Sequence, residues 1–119
     1  MNPFLERQAK RSIGTAGRSS EKRVAKSLGA NLTPASGAMR GAKGDCKTED
    51  FLMECKSTVL QSIALQMGWL VKISSEAITQ NKTPAVVISF VDALGKPAMI
   101  LNSEWVLLPK SKFQELIED

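Results

Sequence analysis

The run Ala85–Val91 (AVVISFV) limits what this chain can fold into. A strand with one wet face alternates apolar and polar residues. This run does not alternate, so it reads as a central strand covered on both faces. Amphipathic helices can supply the cover. Ser19 or Ser20 can cap a helix reaching about Leu28, with Gly29 suited to the position just past its end. Val24, Ala25 and Leu28 form its apolar stripe, and Glu21 falls on that stripe at helical spacing. A second helix is predicted from Gln66 to about Gln80. It is apolar at Trp69, Leu70, Ile73 and Ala77, with Lys72 and Glu76 paired at i,i+4 and Gly68 weakening its start. Ser111 and Gln114 form a capping box for a last helix that turns Phe113, Leu116 and Ile117 inward. Asn31–Ser36 reads as extended, Ala98–Leu101 and Glu104–Leu108 as further strands, and Asp92–Pro97 as a turn. Both tryptophans read as core, Trp105 alternatively as interface. These patterns license an α/β or α+β domain.

The stretch Asp45–Lys56 carries the chemistry. A two-residue turn at Glu49-Asp50 makes it a β-hairpin, pairing Thr48 with Phe51, Lys47 with Leu52, Cys46 with Met53 and Asp45 with Glu54. Opposed residues share a face, and alternation adds Lys56 to it. Two adjoining carboxylates repel unless a positive charge stands between them. Oxygen ligands suit Mg²⁺, with Mn²⁺ able to replace it. The Lys56 ammonium beside such an ion could position a water or stabilise developing charge. Alternatively, the hairpin simply turns its charges to solvent.

What the chain lacks narrows the chemistry. With no histidine and two cysteines, a zinc site of His and Cys and a His-activated nucleophile are both excluded. Cys46 and Cys55 fall on the opposite face of the hairpin and read as small apolar core residues, with a cross-strand disulfide as the alternative. No apolar run reaches the ~20 residues of a membrane span. The net charge of +4 is unevenly spread: residues 1–43 hold nine Lys/Arg against two acids, and residues 44–119 hold seven against ten. A basic front half suggests a polyanionic partner such as nucleic acid. The segment 1–17 reads as a basic arm or short helix, with residues 18–119 as a single domain. Ser36 to Gly44 reads as a flexible basic loop containing Gly37, Arg40, Gly41 and Lys43.

The order of these features resembles the PD-(D/E)XK nuclease superfamily. Gly44-Asp45 stands where that superfamily often has Pro-Asp, and Glu54-Cys55-Lys56 is its E-x-K. A helix bearing Glu21, the Ser36-Gly37 loop, Asp45, and Glu54-Cys55-Lys56 followed by Ser57-Thr58 together look like the archaeal-type Holliday-junction resolvases and their phage relatives. The likeness spans roughly residues 18–91, on few strict positions. It implies a restriction-endonuclease-like fold: α/β, with a mixed central sheet flanked by helices. It also implies a Mg²⁺ site of Asp45, Glu54, the Cys55 carbonyl and Glu21. Lys56 would be a catalytic residue, and Ser36 would assist cleavage.

The function so implied is a Mg²⁺-dependent endonuclease that resolves four-way DNA junctions, acting in the cytoplasm, that of a host cell if phage-encoded. Arg18, Lys22, Arg23, Ser36, Gly37, Arg40, Lys43 and Thr58 are the candidate DNA contacts. Paired nicks across a near-two-fold junction call for a C2 homodimer. Two alternatives stay open: a phage or mobile-element nuclease acting on flaps, ends or duplex, and a non-catalytic DNA-binding module. For Glu21 the alternative is a first-turn carboxylate stabilised by the helix dipole.

Overall fold

The computed structural model describes residues 20–33 and 45–118. Its elements are helix α1 (20–27), strands β1 (Asn31–Leu32), β2 (Cys46–Lys47) and β3 (Phe51–Thr58), helix α2 (Met67–Thr79), strands β4 (Thr83–Phe90) and β5 (Glu104–Leu107), and helix α3 (Lys110–Ile117). The strands form one mixed sheet in the order β1-β2-β3-β4-β5. Only β3 and β4 run parallel, and α2 makes the crossover between them. The fold is therefore α/β, with a mixed central sheet and helices about it.

Strand alternation sorts the core into two layers. Met53 on β3 and Ala85 and Val87 on β4 pack with Cys46 against Val24 and Ala25 of α1. Leu52, Val86 and Ile88 point the other way, against Ile73 and Ala77 of α2. The predicted two-faced strand is thus β4, and β3 beside it is covered on both faces too. Gly29 ends α1 with φ +63°, the left-handed turn that glycine adopts without steric cost. Leu28, predicted on the apolar stripe, is exposed instead.

The hairpin forms in the predicted register, with Cys46 opposite Met53 and Lys47 opposite Leu52. At the turn, the Thr48 N–H donates to the Phe51 carbonyl at 2.9 Å, and the Phe51 N–H donates to Thr48 Oγ1 at 3.0 Å. The Lys82 ammonium donates to the carbonyls of Thr48 and Glu49, each at 2.7 Å, and ties this turn to the start of β4.

Several expectations for the C-terminal part fail. Ala98–Leu101 is no strand. Both edges of β4 are already occupied, by β3 and β5, so only an isolated Val91–Pro97 bridge forms there. The last helix starts at Lys110 with Pro109 as its N-cap, and no side chain caps it. Ser111 therefore lies inside the helix, where it cannot close a capping box. Phe113, Leu116 and Ile117 are exposed rather than inward, as is Trp105 on the edge strand β5. No helix of the described residues is long and apolar enough to cross a membrane.

Candidate active site

The site assembles where β2 begins and β3 continues past it. Asp45 immediately precedes β2, and the predicted ladder pair of Asp45 with Glu54 is not made. The Asp45 N–H donates to the carbonyl of Met53 at 2.8 Å, although Met53 already stands opposite Cys46. Two residues thus face one, in the manner of a β-bulge, which re-aims a side chain. The Asp45 carbonyl accepts from the Thr33 N–H at 2.9 Å, fixing the backbone from the β1 side. The carboxylate then reaches past Glu54: Oδ2 accepts the Cys55 N–H at 2.6 Å. Asp45 supplies the acceptor that the backbone of β2, which begins only at Cys46, does not provide.

Glu54 is buried, with its side chain 11% exposed. Alternation from Leu52 places it on the α2 face, where the lysines meet it. Lys56 Nζ lies 3.6 Å from Oε1, and Lys72 Nζ of α2 lies 3.9 Å from Oε2. Lys72 also stands 3.9 Å from Glu76 Oε1, so one ammonium serves two poorly exposed carboxylates. Lys56 Nζ sits over the Trp69 ring, 4.6 Å from its centroid. A cation so placed gains about 0.5–2 kcal/mol from the ring quadrupole. Trp69 is half-buried, so its predicted core role is in part a platform for Lys56.

Burial first, and then the Asp45 carboxylate, push the Glu54 carboxyl above its ordinary range; Lys72 and Lys56 pull it partly back. The raised pKa means that ionised Glu54 costs folding stability. Relative to high pH, its contribution is fully present below the unfolded carboxylate range and is lost as pH rises through the higher folded value. Glu54→Gln removes that penalty. In EDTA at neutral pH it is expected to raise the midpoint of thermal unfolding by about 2–4 °C, and the gain shrinks as pH falls through the carboxylate range. Melting curves of both proteins across pH check this; a Gln variant that is less stable at neutral pH contradicts it.

Glu21, half-buried on α1, shares its neighbourhood with Asp45, since the charges of both bear on Cys46 and Cys55. The charges bearing on Glu54 are those of Asp45, Lys72, Lys56 and Glu76. The two sulfurs are 3.9 Å apart, and both cysteines are free thiols. Hydrogen bonding with Cys46, then burial, push the Cys55 thiol well above the usual thiol range.

The other predicted residues divide clearly. Arg18, Ser36, Gly37, Arg40 and Lys43 lie outside the described residues, as do the 1–17 arm and Gly44. Lys22 is exposed on α1. Arg23 is committed internally: it pairs with Glu104 at 3.0 Å and donates to the Gly95 carbonyl and to Ser20 Oγ. It braces α1 against the turn before β5 and the start of that strand. Thr58, at the end of β3, accepts the Leu60 N–H at 3.0 Å. The site neighbours that sequence reasoning missed are Lys72, Glu76 and Trp69. Their signal was spacing: 69, 72 and 76 flank the stripe through Ile73 and Ala77 that faces the sheet.

No group of three or more His, Cys, Asp or Glu side chains able to hold a metal occurs among the described residues. The donor set nonetheless suits a hard dication. Two carboxylates repel one another here, and Mg²⁺ is commonly held by one or two carboxylates with waters completing its shell. Comparison of this chain with family models, with curated proteins and with solved structures finds no match.

Proposed function

We propose that this protein is a Mg²⁺-dependent, structure-selective DNA endonuclease that hydrolyses phosphodiesters at four-way junctions. The observation that carries the proposal is the meeting of Asp45, Glu54 and Lys56 at the end of the β2–β3 hairpin, with Asp45 acting electrostatically on Glu54. That meeting supports the nuclease resemblance at its most demanding positions. Asp45, Glu54 and the Cys55 carbonyl would hold the cation, with Glu21 a further candidate ligand and Mn²⁺ able to substitute. When bound, it supplies a more acidic water and charge neutralisation at phosphorus.

The chain's own groups do the remainder. Lys56, steadied by Glu54 and the Trp69 ring, presents an ammonium that can orient the attacking water or meet a phosphate oxygen. The Cys55 N–H holds Asp45 in one orientation, so the carboxylate is placed before substrate arrives. Lys22 is a candidate phosphate contact on α1. A junction presents two equivalent strands to be cut, whereas one chain offers one such site, so the active form proposed is a homodimer.

Synthetic four-way junction, flap and linear duplex substrates, incubated with the protein and Mg²⁺, test the reading. Cleavage of the junction at paired, symmetric positions and little cleavage of linear duplex are expected. Equal cutting of all three keeps the enzyme and removes the junction preference. Cleavage of none, with either Mg²⁺ or Mn²⁺, overturns the proposal.

A further inference from the structure

We infer that Lys72 is the resident counter-cation of this site, neutralising Glu54 in the metal-free protein and yielding that place to a divalent cation. The inference rests on the proposed metal site and concerns how that site is kept before it is loaded. Glu54 and Glu76 are side chains 11% and 10% exposed, and the Lys72 ammonium stands 3.9 Å from one oxygen of each. Lys72 itself is 59% exposed on a flexible stem, so it can leave without disturbing the core. Glu76, one helical turn along α2, gives it a second anchor when Glu54 is taken.

Lys56 is less free to move. Its ammonium is held between Glu54 and the Trp69 ring. The two lysines that touch Glu54 are thus unequal: one fixed beside the site and one exchangeable. A carboxylate cluster with no cation would repel itself; a tethered ammonium relieves that repulsion while remaining weaker than a dication. Lys72 therefore sets a threshold for loading, because an arriving ion must displace one positive charge from the face of Glu54.

The test compares wild type, Lys72→Met and Lys72→Arg in EDTA and in Mn²⁺, by thermal unfolding and by calorimetric titration of Mn²⁺. Lys72→Met is expected to unfold about 2–4 °C below wild type in EDTA, and Mn²⁺ should shrink that difference to what the lost Lys72–Glu76 pair costs. It should also bind Mn²⁺ about 5-fold more tightly, having lost a competing charge. Lys72→Arg should behave as wild type. A deficit undiminished by saturating Mn²⁺ makes Lys72 merely structural and overturns the inference, as does unchanged Mn²⁺ affinity. A wild-type protein that neither binds Mn²⁺ nor is stabilised by it overturns the metal site as well. Failure of the metal site is therefore distinguishable from failure of the exchange.

Discussion

Asp45→Asn, Glu54→Gln and Lys56→Met are each expected to lower the rate of junction cleavage on the order of 10²–10³-fold while leaving junction affinity nearly unchanged. The substitutions are chosen to spare the fold. Asn keeps an oxygen for the Cys55 N–H, now held at 2.6 Å by Asp45. Gln at position 54 removes a charge that burial already disfavours. Met keeps the length of Lys56 against the Trp69 ring. Single-turnover rates on a labelled junction, together with gel-shift affinities, separate chemistry from binding. Full activity in all three variants would refute the assignment of the site. Loss of affinity in parallel with rate would make these residues DNA contacts rather than catalytic groups.

The second large effect is on stability. Leu52→Ala should lower the free energy of unfolding by about 3–5 kcal/mol, because truncating a fully enclosed leucine leaves a cavity as well as lost apolar contact. Leu52 is 0% exposed and lies in the layer between the sheet and α2. Folded domains have only about 5–15 kcal/mol in total, so much of the molecule's stability is at stake. Trp105→Phe, at a residue 57% exposed on β5, should change stability by no more than about 0.5 kcal/mol. Urea unfolding of the two variants checks the contrast. A small effect at Leu52 would mean that the α2 layer does not close over β3 as described.

The same local logic explains how much of this molecule could be read from its residues. The two-faced strand was legible because a short continuous apolar run between turn signals suits a strand covered on both faces, and β4 is that strand. The hairpin register was legible because a one-residue slip would turn Leu52 to the wrong face. The bulge at Asp45 was not legible, since it depends on β1 bonding the Asp45 carbonyl from outside the hairpin. The capping box failed for a related reason. Its residues were right in type, but Pro109, two residues ahead of Ser111, takes the N-cap position. Apolar spacing in α3 was also real, yet spacing cannot say whether another layer lies beside the helix; among the described residues Phe113, Leu116 and Ile117 remain exposed. Arg23 shows the limit for charge. A basic residue on a helix looked available to phosphate until Glu104, 81 positions away in sequence, came to meet it.

The ring beneath Lys56 gives the molecule an internal optical probe. The chain has two tryptophans, and Trp105 is surface-exposed, its indole N–H donating to the Asn102 carbonyl at 2.9 Å. In a Trp105→Phe background, all indole emission comes from Trp69, whose excited state senses the ammonium resting 4.6 Å from its centre. A charge arriving beside Lys56, a cation on Glu54 or a phosphate on the ammonium, alters the field at that ring and so the colour or brightness of the light, and occupancy can be followed in real time without attaching a dye.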